Sequence, residues 1–123
     1  MERELNSLID EFGSKISRAQ YNQYASKLRR FLVPYILKHF NDINDIQKIF
    51  RDNFTTKHII NSTVYYMENC ENVSNYQSIK TYLTSLSCFF KVVILNRYPD
   101  SISKNYLPFS QFYEELFAIF SVL

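Results

Sequence analysis

The chain has 123 residues with one Gly, three Pro and two Cys, and 14 Lys and Arg against 12 Asp and Glu leave a formal charge of +2. This length fits one domain, residues 1–123, which can bury a core without disulfide or metal staples. The single glycine, Gly13, excludes Gly-rich phosphate loops and argues against a sandwich or barrel with many Gly-bearing turns. Eleven Phe and ten Tyr exclude a chain that is disordered by composition.

Apolar residues recur with helical spacing nearly everywhere, and strand-type alternation does not persist. A short amphipathic set ends at Gly13, a residue at which helices stop. The next helix is predicted to begin near Ser17 and to bury one apolar stripe. Pro34 lies inside that stripe and is expected to kink or end the helix near Leu32–Val33.

The middle of the chain predicts a short helical piece followed by a longer helix. Residues 42–53 have apolar positions that suit a short helix or turn. Thr55 or Thr56 is expected to cap a helix that runs to about Asn69.

Two helices are predicted in the last third of the chain. Ser74 and Gln77 match a capping box and start the clearest amphipathic helix, which Pro99 stops. Ser110 is expected to cap a last helix that is apolar on much of its circumference. The predicted fold class is therefore all-α: a compact bundle of four main helices plus short helical pieces.

The sequence also indicates the cellular compartment of the protein. The first residues carry acids and lack the apolar core of a signal peptide, and no apolar run approaches the ~20 residues that span a bilayer. Cys70 and Cys88 allow one bridge at most, so we expect two thiols in a reducing environment. These features predict a cytoplasmic protein with no membrane partner.

Few residues suggest catalysis. His39 and His58 lack a neighbouring metal-ligand pattern, and Cys88 has no predictable histidine partner. The adjacent pair Glu114 and Glu115 is explained by a favourable position near a helix N-terminus. We therefore expect that the chain is not an enzyme by itself and that it uses no metal or cofactor.

The distribution of charged residues along the chain is more informative than the net charge. Residues 13–40 contain six basic side chains and residues 72–99 contain three, and neither segment contains an acid. Nine of the fourteen basic residues therefore lie in two acid-free helical segments, while the acids collect in the rest of the chain. Such segregation is expected to create a positive face although the net charge is small.

The outer face of the helix that begins near Ser74 has the composition of a phosphate- and base-contacting surface. Short hydrogen-bonding groups surround one lysine there, and the first turn offers free backbone amides to an anion. The alternative is an ordinary solvated face with a good cap. The residues of this face are Ser74, Asn75, Gln77, Ser78, Lys80, Thr81, Thr84 and Ser85.

Three motifs resemble the N-terminal core-binding (SAM-like) domain of tyrosine recombinases and phage integrases. The resemblance covers about residues 18–98, and its motifs follow the order of that family's first three helices. The motifs are Tyr21-x-x-Tyr24-x-x-x-Leu28-Arg29-Arg30-Phe31-Leu32, then Phe54-Thr55-Thr56-Lys57-His58-Ile59-Ile60 with Val64-Tyr65-Tyr66-Met67, and Ser74-x-x-x-Ser78-Ile79-Lys80-x-Tyr82-Leu83-x-Ser85-Leu86-x-x-Phe89-Phe90.

The resemblance implies a four-helix clamp that grips duplex DNA during recombination or integration of a mobile element. The catalytic residues of that family belong to a separate C-terminal domain, so none is carried over here and none of the ten tyrosines is read as the nucleophile. The expected backbone contacts are Lys27, Arg30, Lys80 and Lys91. The residues expected near the groove or the phosphates are Ser74, Asn75, Gln77 and Thr81.

Two other functions compatible with the sequence remain open. One is a small viral or phage protein-interaction module that docks on a partner through its aromatic last helix, residues 110–123. The other is an assembly protein in which this helix is exchanged between copies. The chain would accordingly be a complete small protein or a piece cut from a longer recombinase.

Overall fold

The chain begins with a complete helix where the sequence predicts only a short apolar set. The computed structural model describes residues 1–70 and 76–122, and its first helix, α1, spans Glu2–Gly13. The Phe12 ring meets the Phe89 ring edge to face, with 5.5 Å between centroids, so α1 packs on the core. The buried residues of α1 are the predicted ones: Leu5, Leu8, Ile9 and Phe12.

The second helix, α2, spans Arg18–Lys27 and begins where its capping residue predicts. The Ser17 hydroxyl accepts a hydrogen bond from the Gln20 N–H at 3.2 Å, and the Gln20 side chain accepts one from the Ser17 N–H at 3.4 Å. This reciprocal pair satisfies backbone donors at the helix start and confirms the predicted boundary.

Pro34 does not end the helix, so that alternative of the prediction is wrong. A π-helical turn, Leu28–Leu32, joins α2 to α3 (Val33–His39), and the Val33 N–H bonds to the Leu28 carbonyl five residues back. A proline lacks an N–H and crowds the carbonyl four residues before it. The wider π turn leaves room for Pro34 in the first turn of α3, and the chain stays helical to His39.

The middle segment forms a short helical piece and a long helix, as predicted. Helix α4, Ile46–Lys48, is a single turn that leads into a π-helical turn, Ile49–Asn53. Ile49 and Phe50 in that turn are fully buried. Helix α5, Thr56–Asn69, then follows with Thr55 at its N-terminal boundary, which confirms the predicted extent.

The centre of the fold is the helical rod that starts with α6, Tyr76–Phe89. It continues through a π-helical turn, Phe90–Ile94, into α7, Leu95–Arg97, just before the predicted stop at Pro99. This rod is packed against α1, α2, α5 and α8. Its whole apolar arc is buried, as the helical spacing predicts: Ile79, Tyr82, Leu83, Leu86, Phe89, Phe90, Val93 and Ile94.

The same rod corrects the expectation that no segment is long and apolar enough to cross a membrane. Residues Gln77–Arg97 form a 21-residue helical stretch whose length and composition meet that criterion. Half of the apolar 18-residue part of this stretch is buried within the domain. The core helix of a soluble protein can be equally long and apolar. Lys80, Lys91 and Arg97 also interrupt the stretch with charge. It therefore gives no clear membrane signal.

The last helix begins three residues later than predicted. The chain forms two 3₁₀ turns, Ile102–Tyr106 and Phe109–Phe112, before α8, Tyr113–Val122. Ser110 lies inside the second turn, so its predicted role as the cap of the last helix is wrong. The tight turn buries Phe109 completely, with its ring 5.2 Å from the Phe90 ring, and this anchor delays the helix.

The described residues contain helices and turns but no strand, which confirms the all-α class. α8 packs against α5 and α6, and its Leu116 is fully buried. Phe117, with 37% of its surface accessible, is the exposed large hydrophobic residue among those described. The last helix therefore contributes to the core of this bundle.

Candidate nucleic-acid interface

The polar face of α6 is solvated over its described length. Gln77, Lys80, Thr84 and Lys91 are exposed, and Thr81 is half-buried. The Thr81 hydroxyl donates to the Gln77 carbonyl at 2.9 Å, so it stays on the helix. Four of the residues predicted to contact DNA (Gln77, Lys80, Thr81 and Lys91) therefore share one face.

A groove of about 280 Å³ runs between this face and α2. The α2 wall is formed by Gln23 and Tyr24, and the α6 wall by Gln77, Lys80, Thr81 and Thr84. Gln23 was missed by the sequence reasoning. Its position four residues before Lys27 on α2 is the signal that would have found it, because residues at that spacing are neighbours on a helix.

Lys27 and Arg30 lie beside this groove. The Lys27 ammonium donates to the Gln23 carbonyl at 3.2 Å, which places it at the groove edge. Both basic residues line a second depression of about 210 Å³, together with Tyr66 and Cys70. The basic residues predicted on α2 and on its π turn are therefore contiguous with the α2–α6 groove.

Lys91 extends this surface at the other end. It lines a larger, mostly apolar groove of about 650 Å³ together with Thr84, which also lines the α2–α6 groove. The structure thus brings six of the eight predicted residues into one continuous surface. We call this surface the basic strip, and it consists of Lys27, Arg30, Gln77, Lys80, Thr81 and Lys91.

Two predicted contact residues lie outside the described part of the chain, and one supporting residue is misplaced. Ser74 and Asn75 belong to the residues that the structure does not describe. Ser85 is wrong as part of the exposed face, because it is fully buried. Its hydroxyl donates to the Thr81 carbonyl at 2.7 Å, so the helix itself satisfies this polar group.

Three basic residues of the acid-free segments are neutralised by α1. Arg29 pairs with Asp10 at 2.5 Å, Arg97 with Glu11 at 2.6 Å, and Lys15 with Glu11 at 3.9 Å. The Arg97 guanidinium lowers the pKa of Glu11 below its usual value, chiefly by hydrogen bonding. We call Lys15, Arg29, Arg97, Asp10 and Glu11 the acid-paired face.

The basic strip differs from that face in its charge pairing. Lys27, Arg30 and Lys91 form no ion pair with any residue in the ranges 1–70 and 76–122. Arg30 lies 5.5 Å from the Phe31 ring centroid, a cation–π contact that leaves its charge uncompensated. Lys27, Arg30 and Lys91 therefore keep a positive charge that no acid of the described residues cancels, as do the exposed Arg18 and Lys38 of the same acid-free segments.

The side chains considered for catalysis in the sequence contact neighbouring groups of the fold. Partial burial raises the pKa of the Cys88 thiol, although Lys91 acts in the opposite sense. His58 Nδ1 and the Tyr35 hydroxyl are hydrogen-bonded at 2.8 Å, and burial lowers the pKa of His58. The His39 ring stacks on the Tyr35 ring at 4.3 Å. The described residues contain no cluster of three or more His, Cys, Asp or Glu that could hold a metal ion.

Comparison with known proteins adds no relative to this picture. No family model matches the chain, and neither a curated protein nor a solved structure is similar to it.

Proposed function

We propose that this chain is a non-catalytic DNA-binding domain that clamps duplex DNA through the basic strip, in the manner of a recombinase core-binding domain. The observation that carries the proposal is that Lys80 lines the α2–α6 groove, while Lys27 with Arg30 and Lys91 line two depressions beside it. Neutral hydrogen-bonding groups lie between these cations. This combination suits phosphate contacts that position a duplex and amide contacts that reach base edges.

The spacing of the strip supports a duplex as the ligand. Lys80 and Lys91 are eleven residues apart on one rod, which corresponds to a rise of about 16 Å. The B-DNA major groove is about 12 Å wide, so two cations at this spacing can reach phosphates on both of its edges. Lys27 and Arg30 supply further contacts from the α2 side of the groove.

The same role accounts for the expected compartment. DNA binding through exposed cations requires a location in contact with DNA, and the free thiols of Cys70 and Cys88 suit a reducing environment. We therefore place the protein in the cytoplasm. The contacts of His39 and His58 with Tyr35 and the raised pKa of the Cys88 thiol support a role that needs no chemistry from this chain.

Binding to a labelled duplex of about 25 base pairs, followed by fluorescence anisotropy, tests the proposal. Four phosphate contacts predict a slope of about −3.6 for log K against log salt, so affinity falls on the order of a hundredfold between 50 and 200 mM salt. The double variant Arg30→Glu, Lys80→Glu should abolish binding and leave helicity intact, because both side chains are exposed.

A matched control uses the same change in charge at another place. Lys48 on α4 and Lys104 on the Ile102–Tyr106 turn are exposed and do not line the α2–α6 groove. Lys48→Glu with Lys104→Glu should keep most of the affinity. Equal losses in the two double variants would show that binding follows net charge, and unchanged binding by the strip variant would refute the site.

Docking on a protein partner through the last helix receives less support. Leu116 of α8 is fully buried and the helix packs on α5 and α6, which leaves Phe117 as its exposed large ring in the described part of the chain. A single exposed hydrophobic residue is ordinary for a soluble domain. If wild-type protein shows no salt-dependent DNA binding, docking through α8 becomes the favoured function.

A further inference from the structure

The start of α8 lies against the central lysine of the basic strip. The Lys80 ammonium is 4.9 Å from the centroid of the Tyr113 ring, within the range of a cation–π interaction. The Tyr113 ring in turn stacks on the Phe117 ring, with centroids 5.9 Å apart and planes inclined by 20°. Tyr113, one ring of an aromatic pair on the last helix, therefore contacts a side chain that belongs to the strip.

The structure fixes α8 in this place by contacts of its own. Leu116 is fully buried between α8 and the bundle. The Phe109 N–H, just ahead of α8, donates to the Ser87 hydroxyl at 2.8 Å. Ser87 lies about two helical turns beyond Lys80 on the same rod. The chain that carries Tyr113 is thus anchored on the helix that carries Lys80, so their contact does not depend on a mobile terminus.

We propose that Tyr113 is a positioning residue for Lys80, and that α8 forms part of the DNA-binding face. This inference rests on the proposed function. A free lysine loses much of its rotamer freedom when it binds a phosphate. The Tyr113 ring restricts the Lys80 side chain before DNA arrives, so less of this freedom is lost when the ammonium binds a phosphate.

The contact itself is tested without DNA. Protons next to an aromatic face shift upfield, so the Hε signals of Lys80 should lie upfield of those of Lys48, an exposed lysine of α4. Tyr113→Leu should return them to the Lys48 position, and Tyr113→Phe should retain the shift because the ring is kept. Unshifted Lys80 signals in the wild-type protein would overturn the inference directly, whatever the variants do.

The consequence for binding is tested by a double-mutant cycle on the labelled duplex. A cation–π contact at an exposed site corresponds to a change of about two- to fivefold in affinity, so Tyr113→Leu should weaken binding by that factor and Tyr113→Phe should not. In a Lys80→Gln background, Tyr113→Leu should have no further effect. A purely structural role would instead weaken both backgrounds equally.

The outcomes separate this inference from the proposed function. If the wild-type protein binds DNA and needs Lys80, but Tyr113→Leu binds as well or more tightly, then the ring does not assist Lys80 and only the inference fails. If the wild-type protein does not bind DNA, the proposed function fails. Circular dichroism and melting temperature of each variant confirm that the comparison is made between folded proteins.

Discussion

Arg29 and Arg30 are neighbours in the sequence and line one shared depression beside α2, but they differ in charge pairing. Arg29 pairs with Asp10 and lies 5.5 Å from the Tyr21 ring centroid, whereas Arg30 opens onto the depression shared with Lys27. The first belongs to the acid-paired face and the second to the basic strip. The difference shows that a segment without Asp or Glu does not by itself form a positive surface. Acids from a helix that is distant in the sequence can pair with some of its basic side chains.

The largest expected effect compares two variants that each remove two positive charges. Lys27→Gln with Lys91→Gln removes two phosphate contacts, so the salt slope of DNA binding should become shallower by about 1.8. Arg29→Gln with Arg97→Gln removes cations that are already paired with α1, so the slope should stay near its wild-type value. Fluorescence anisotropy at several salt concentrations measures both.

The second variant of that comparison has its own expected cost. Loss of Arg29 and Arg97 removes the ion-pair partner of Asp10 and leaves Glu11 with Lys15 alone, so the melting temperature should fall while the slope is kept. The strip variant should behave in the opposite way, with a kept melting temperature and a reduced slope. Equal changes of slope in both variants would contradict the division into two faces.

The helical spacing of the sequence predicted the core well. The buried arc of α6 and the extent of α5 follow from the local apolar pattern, although the Thr55 side chain makes no capping hydrogen bond. The start of α2 follows from the capping box at Ser17. Ser85 was misplaced because its polarity suggested solvent. Its hydrogen bond to the Thr81 carbonyl lets it lie inside the bundle.

The candidate site was predictable only in part. The cations of the strip lie on two recognisable helices, but the pairing of Arg97 with Glu11 joins residues 86 positions apart. No local pattern encodes such a contact, because it depends on how the helices pack. The contact between Lys80 and Tyr113 joins different elements in the same way, and Gln23 enters the site only because α2 lies against α6.

The single glycine gives the next largest effect, and it acts on the acid-paired face. A Cβ on Gly13 would stand 2.6 Å from the Tyr21 ring, the ring over which Arg29 lies. Gly13→Ala should therefore displace Tyr21 and destabilise the protein by about 1 kcal/mol, at the low end for an overpacked site because Tyr21 is half-buried. Urea unfolding measures the change.

A second substitution should turn the destabilising effect of Gly13→Ala into a stabilising one. In a Tyr21→Ala background the added Cβ meets no ring, and alanine is a better helix former than glycine by about 1 kcal/mol. Gly13→Ala should then stabilise the protein. DNA binding should be unchanged in both backgrounds, since neither residue belongs to the basic strip. A loss of stability in both backgrounds would show that the backbone at Gly13, rather than the Tyr21 ring, sets the requirement.

The smallest effect comes from removing the acid that joins α1 to α7. Glu11→Gln should lower the free energy of unfolding by about 0.5–1 kcal/mol at pH 7, since Arg97 is 48% exposed and water screens the pair. Glu68→Gln, at an exposed and unpaired acid among the described residues of α5, is the control and should cost nothing. DNA affinity should be kept or slightly raised, because the variant removes a negative charge.

The pH dependence of that cost identifies its source. Arg97 lowers the pKa of Glu11 in the folded protein, so the unfolded chain binds more protons than the folded one at acidic pH. The stabilisation is therefore complete above the usual value of 4.5 and is lost as the pH falls through the lowered pKa. The melting temperatures of wild type and Glu11→Gln should converge below pH 4.5. A difference that persists in acid would assign the cost to packing, and the acid-paired face would then owe its order to something other than charge.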